Sequence, residues 1–159
     1  MEDKKKKVII FDLDDTLFDS TNQPIDTGGN WLIKLFDGMG SILESNDFIN
    51  ILVTRGFQYR QNRKIDVLGI RKYFEEIHVV DSDVHKHEKF VRINKDFQDR
   101  EIIVIGNRID CEIRYANQLG LKTIHIKHGK YSMLEPKDHF EIPSHQLPVD
   151  EIVDLVKLI

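Results

Sequence analysis

The sequence predicts an α/β protein, a single-domain, Rossmann-like three-layer α/β/α sandwich around a mostly parallel central sheet. Two observations predict it. Short, β-branched apolar runs alternate along the chain with segments of helical period, the order expected of right-handed β-α-β crossovers. Polar and charged residues also gather directly after those runs, where open parallel sheets bind their ligands.

The first run is Val8, Ile9, Ile10 and Phe11, and it leads straight into Asp12, Leu13, Asp14, Asp15 and Thr16. Three further runs read as buried strands, at 48–53 (FINILV), 102–105 (IIVI) and 123–126 (TIHI), with a weaker one at 77–80 (IHVV). Between them lie the predicted helices. Trp31, Leu32, Leu35, Phe36, Met39, Ile42 and Leu43 recur at helical spacing, interrupted by Gly38 and Gly40. Residues 58–69 and 110–119 each end in a Leu-Gly stop, and residues 86–97 carry Phe90, Ile93 and Phe97 on one stripe. A last amphipathic helix is predicted from Ile152, Val153, Leu155, Val156 and Ile159. Residues 129–148, with Gly129, Pro136, Pro143 and Pro148, read as an irregular segment before it, and residues 1–7 as a flexible basic tail.

The 159 residues are one domain's worth of chain, 40% apolar and 31% charged, which excludes disorder and fibrous repeats. A net charge of −4 indicates no nucleic-acid partner. No stretch approaches the roughly 20 apolar residues of a membrane span, and the apolar run after Lys4–Lys7 is too short for a signal peptide. Cys111 is the single cysteine, so no internal disulfide can form, and a cytoplasmic location is expected.

The strand ends carry the chemistry. Asp12, Asp14 and Thr16 follow the first run; Thr54, Arg55 and Gly56 the second; Asp81 and Asp83 lead to Lys86; Gly106, Asn107, Asp110 and Glu112 follow the fourth. Converging carboxylates, a hydroxyl and a lysine suit a phosphoryl group bridged by a hard cation such as Mg²⁺, which takes one or two protein carboxylates together with phosphate oxygens. One aspartate can attack phosphorus to form an aspartyl-phosphate, and the second, two residues on, can protonate the leaving oxygen and then activate water. Lys86 would neutralise charge on the transferring group while Thr54 hydrogen-bonds its oxygens.

Simpler readings of the same residues are weaker. A calcium loop beginning at Asp12 needs glycine at its sixth position and glutamate at its twelfth, where this chain has Leu17 and Gln23. His85 and His87 lack a third zinc ligand and read as surface histidines. Asp110 and Glu112 could equally be first-turn acids that complement a helix dipole.

In these four segments the chain resembles the haloacid dehalogenase (HAD) superfamily. The resemblance rests on Asp-x-Asp-x-Thr at Asp12, Asp14 and Thr16, on ILVTRG with Thr54, on Lys86 near a helix start with Phe90 four residues on, and on IGNRIDCEIRYANQLGLKT. Lys89 is the lesser match for the lysine. The resemblance implies a magnesium-dependent phosphatase with Asp12, Asp14, Thr54 and Lys86 catalytic. It places Thr16, Arg55 and Gly56 against substrate, and metal ligands at Asp12, Asp14, Asn107 and Asp110, or Glu112 in place of Asp110. Asp14 favours phosphate-ester hydrolysis over carbon–halogen cleavage. Asn107 stands where the family usually has an aspartate, which implies weaker metal binding, or a regulatory module with little or no catalysis. Phosphotransfer would use the same residues. Only 37 residues separate Thr16 from Thr54 and 31 separate Thr54 from Lys86, so no substantial cap domain is expected. An open crevice suits a phosphorylated partner, small or macromolecular, or a small one enclosed by a second subunit of a homo-oligomer.

Overall fold

The structure is a computed structural model that describes residues 4–23 and 31–159. Six parallel strands form one sheet: β1 (Lys7–Phe11), β2 (Phe48–Arg55), β3 (Glu76–Val80), β4 (Ile102–Gly106), β5 (Lys122–Lys127) and β6 (His145–Pro148), in the order β3-β2-β1-β4-β5-β6. The chain builds outward from β1 in one direction and then, from β4, in the other. The crevice between β1 and β4 is therefore the switch point at which such sheets bind ligands.

Alternation along the strands fills two cores. Ile9 and Phe11 of β1, Leu52 of β2, Ile103 and Ile105 of β4, and Ile124 and Ile126 of β5 face one side, where Met39, Ile42 and Leu43 of α1 (Met39–Glu44) and Ile65 of α2 (Gln58–Leu68) cover them. Val8, Ile10, Ile51, Val53, Ile102 and Val104 face the other side, covered by Phe90 and Ile93 of α3 (Asp83–Asp96) and Ala116 of α4 (Arg114–Gln118). The five predicted strands and the helices at 58–69 and 86–97 are thus present.

Four expectations are corrected. The apolar spacing from Trp31 to Phe36 is not helical. This segment lies extended against the loop after β1, with the Phe36 N–H donating to Leu17 C=O at 2.9 Å and Leu35 paired with Phe18. Gly38 adopts φ 90°, so helix starts only at Met39. The segment 129–148 is not irregular throughout: it contains β6 and a 3₁₀ turn at His139–Glu141. β6 is short, polar at the sheet edge and closed by Pro148, so of its four residues only Leu147 is buried, leaving no alternation to read.

The C-terminal element is a 3₁₀ helix, Val149–Lys157. Ile152 and Leu155 are buried three residues apart while Val153 and Val156 are exposed, as suits three residues per turn. Of the predicted basic tail, residues 1–3 lie outside the described residues, Lys4, Lys5 and Lys6 are exposed and outside regular structure, and Lys7 already belongs to β1, opposite Phe48. Among the described residues no helix is long and apolar enough to cross a membrane.

Candidate active site

Asp12 leaves β1 with its N–H bonded to Ile105 C=O of β4 at 3.1 Å, so the chain is fixed across the switch point at this residue. It then turns tightly. The N–H groups of Thr16 and Leu17 both donate to Leu13 C=O, Leu13 enters the core, and Asp15 adopts the left-handed φ of 56° with its carboxylate capping Thr21. Strand-like alternation through this turn sends Asp12 and Asp14 into the crevice and Leu13 the other way.

Each oxygen of the buried Asp12 carboxylate has one donor: Lys86 Nζ reaches Oδ1 at 2.8 Å, and the Thr16 hydroxyl reaches Oδ2 at 3.1 Å. Lys86 also donates to Glu112 Oε1 at 2.7 Å, so a single ammonium, 2% exposed, lies between two buried carboxylates. Burial opposes its charge, but Asp12 and Glu112 outweigh that and hold the ammonium well above the ordinary lysine range. Asp12 responds in the opposite sense. Burial pushes its carboxyl up to about 7, Lys86 pulls it back in part, and Glu112 and Asp14 add to the rise. Two carboxylates therefore compete for one cation, and Glu112 Oε2 remains buried with no hydrogen-bond partner among the described residues.

On the facing wall, the Asp14 carboxylate accepts from Lys64 Nζ at 2.7 Å and from Gln61 Nε2 at 2.9 Å. Gln61 Nε2 also donates to Thr54 Oγ1 at 2.7 Å, which leaves the Thr54 hydroxyl hydrogen for another acceptor. Gly56 makes this possible, because a Cβ there would stand 2.8 Å from the Gln61 side chain. Gly106 has the same role for Glu112, whose Cβ and Cγ lie 2.8 Å from the position a Cβ would take.

The cleft around these groups has a volume of about 390 Å³ and brings together Asp12, Asp14, Arg55, Gly56, Lys86 and Asn107 of the predicted set. Thr54 borders them from the end of β2 through Gln61. Two predicted residues are placed differently. Thr16 is fully buried with its hydroxyl on Asp12, so it positions that carboxylate instead of meeting a ligand. Asp110 is turned aside onto Arg108, at 3.0 and 3.1 Å. The turn Ile109–Ile113 is π-helical, and its wider winding carries Glu112 to Lys86 in place of Asp110. Lys89 does not reach the cleft, and His87 stacks on Tyr115 at 4.6 Å.

Sequence reasoning missed Gln61, Lys64 and Arg108 as individual site residues. Gln61 and Lys64 lie three apart on α2, and both are buried, an unusual state for such side chains outside a site. Arg108 lies 4.5 Å from the Tyr131 ring centroid and shares the Asp83 carboxylate with Arg55.

The residues fit a small hard cation. The carboxylates of Asp12 and Asp14, the amide of Asn107 and the open acceptor of Glu112 are oxygen donors lining one cleft. A different group, Asp15, Asp19 and His128, brings three ligand-type atoms within 4.8 Å of one another. Its members are already bonded, Asp15 to Thr21 and Asp19 to His128 Nε2 at 2.9 Å, so its evident role is to close the loop after β1 onto the segment after β5.

No protein-family model matches the chain. It is 30% identical over 112 residues to a protein named glyceraldehyde 3-phosphate phosphatase from Methanopyrus kandleri, a match covering 66% of this chain and 48% of that protein. The chain spans about half the length of the curated relatives it matches. Among solved structures it is similar to a predicted phosphoglycolate phosphatase from Haemophilus somnus, with a TM-score of 0.72, 14% identity and coverage of 96% of this chain and 97% of that one. It is also similar to a HAD-type chain from Bacillus subtilis solved with magnesium bound, with a TM-score of 0.68, 15% identity and coverage of 96% and 99%. These two likenesses concern the fold.

Two expectations follow from the charges. Lys86→Ala strands two buried carboxylates beside each other and should cost about 3–5 kcal/mol of stability in urea unfolding; a loss below about 1 kcal/mol would mean that the pair is not buried in solution. Asp83 is partly buried, which raises its carboxyl, but Arg55 and Arg108 more than reverse this and leave it below the ordinary 3.8. Its contribution is present above that value and fades as pH falls through its lower folded value. Asp83→Asn should therefore lose less stability than wild type between about pH 5 and about pH 3, and equal losses would show that the two arginines do not hold it.

Proposed function

We propose that this chain, which belongs to the haloacid dehalogenase superfamily, is a magnesium-dependent phosphatase that hydrolyses a phosphate monoester through an aspartyl-phosphate on Asp12. The observation that carries the reading is the buried Asp12–Lys86–Glu112 group at the end of β1, opening into a cleft lined largely by charged side chains. The name of the archaeal relatives is consistent with this chemistry.

Asp12 is placed as the nucleophile. Its carboxylate is immobilised by Lys86 and Thr16, and each oxygen keeps a free lone pair. Attack forms the Asp12–phosphorus bond as the ester P–O bond breaks, and Asp14, entering this step protonated, delivers its proton to the leaving oxygen. Water then attacks phosphorus, Asp14 takes its proton, and the Asp12 carboxylate is released with inorganic phosphate. Lys64 and Gln61 hold Asp14 on the wall from which both transfers are made. The Thr54 hydroxyl, its oxygen engaged by Gln61, turns its hydrogen toward a phosphoryl oxygen. Lys86 keeps positive charge beside the transferring group throughout. A magnesium ion held by oxygens of Asp12 and Asn107, with the Asp14 carboxyl left free for proton transfer, would supply the further positive charge that the nucleophile and the phosphoryl oxygens require.

One observation favours a weakened variant of this activity. Asn107 lines the cleft at 3% exposure, its main-chain carbonyl in contact with His125 Nε2 at 3.1 Å, and its side-chain amide offers the cation a neutral oxygen in place of a carboxylate.

Magnesium-dependent hydrolysis of an aryl phosphate tests the reading. Wild-type activity should fall by at least about 10³-fold in Asp12→Asn, and activity that survives in that variant sinks the proposal. In calorimetric titration, Asn107→Asp should bind magnesium about tenfold more tightly than wild type. Unchanged affinity would remove Asn107 from the metal site.

A further inference from the structure

The cleft is lined by six cationic side chains, and four of them are engaged. Lys86 is held by Asp12 and Glu112, Lys64 by Asp14, and Arg55 and Arg108 share Asp83, with Arg108 also on Asp110. The other two, Arg60 and Lys130, have no hydrogen-bond or ion-pair partner among the described residues, and Lys130 rests 5.0 Å from the Tyr131 ring centroid. Both are exposed. They come from different parts of the fold: Arg60 from the first turn of α2, after β2, and Lys130 from the segment after β5, with β1 and β4 between those strands in the sheet.

Among the described residues, neither cation balances another charged group. The transferring phosphoryl is already served by Lys86 and Thr54 deeper in the cleft, so Arg60 and Lys130 are left to face the remainder of the substrate. Cations in a cleft with low-dielectric walls concentrate and orient anions more strongly than the same groups on an open surface.

The geometry points to a substrate whose leaving group bears a second anionic group, a carboxylate or a second phosphate, received by Arg60 and Lys130 at the mouth of the cleft. This deepens the phosphate-ester reading above and rests on it. A volume of about 390 Å³ suits a small phosphorylated acid or a sugar bisphosphate. The same charges give no preference to an ester with a neutral leaving group, such as an aldehyde or alcohol of equal size.

Binding to the Asp12→Asn protein, with magnesium present, tests this without relying on turnover. Calorimetry compares 3-phosphoglycerate with glycerol 3-phosphate, and fructose 1,6-bisphosphate with fructose 6-phosphate. The more highly charged member of at least one pair should bind about tenfold or more tightly at low salt, with the ratio shrinking as salt is added. Preference within the first pair alone identifies the group as a carboxylate, and within the second alone as a phosphate. Adding Arg60→Gln and Lys130→Gln together should bring the ratio to within about threefold of parity. The inference is overturned if neither pair shows a preference, if none of the four ligands binds, or if the double substitution leaves the ratio intact. Turnover is read separately on the wild type. A protein that hydrolyses no ester, yet keeps the charge preference and loses it with Arg60 and Lys130, would refute the phosphatase reading and leave this ligand class standing.

Discussion

Lys86 carries its ammonium into the centre of the molecule, and the arrangement of the crevice follows from how that charge is balanced. A lone buried cation is costly, and so is a lone buried carboxylate. Here one cation stands between two carboxylates contributed by distant parts of the chain, Asp12 after β1 and Glu112 after β4, while Lys86 itself comes from the first turn of α3. Three elements that approach from both sides of the switch point are thereby pinned to one site. Two negative charges face one positive, so the group is incomplete: burial first, and then the neighbouring Glu112, raises the Asp12 carboxyl, and one Glu112 oxygen has no hydrogen-bond partner among the described residues. Such a group is poised to accept further positive charge.

The backbone is shaped around that requirement. Gly106 and Gly56 are placed where a Cβ would collide with Glu112 and Gln61, so each glycine admits a functional side chain instead of serving flexibility. The π-helical turn after β4 has a similar effect, setting Glu112 toward Lys86 and sending Asp110 outward to Arg108. π-helical turns are rare and often occur at functional sites. The local irregularities of the chain thus coincide with the site, while the central strands behind it are regular and buried over most of their length.

Charge is graded from the floor of the cleft to its mouth. At the floor Lys86 and Lys64 are buried and paired with carboxylates; across the middle, Asp83 holds Arg55 and Arg108 side by side; at the mouth, Arg60 and Lys130 are exposed and have no ion-pair partner among the described residues. Buried pairs are held rigidly by desolvation, whereas exposed charges can adapt to a ligand with little penalty. The groups assigned to chemistry are thus the fixed ones, and those assigned to substrate choice are the adaptable ones.

The sequence by itself determined the first five strands, the helices at 58–69 and 86–97, and the convergence of Asp12, Asp14, Thr54 and Lys86, because each of these is announced locally by an apolar run and the polar residue that ends it. The tertiary structure decided the rest. The segment 31–38 has helical spacing but is drawn out along the loop after β1, and β6 is an edge strand with one buried residue, too little alternation to detect. Whether Asp110 or Glu112 faces Lys86 depends on one extra residue of winding, which no residue spacing encodes. The partnership of Gln61 and Lys64 with Asp14 spans 47 and 50 residues of chain. Hydrophobic period is a property of neighbours in sequence, whereas the pairing of buried charges is settled only when the sheet brings distant strand ends together.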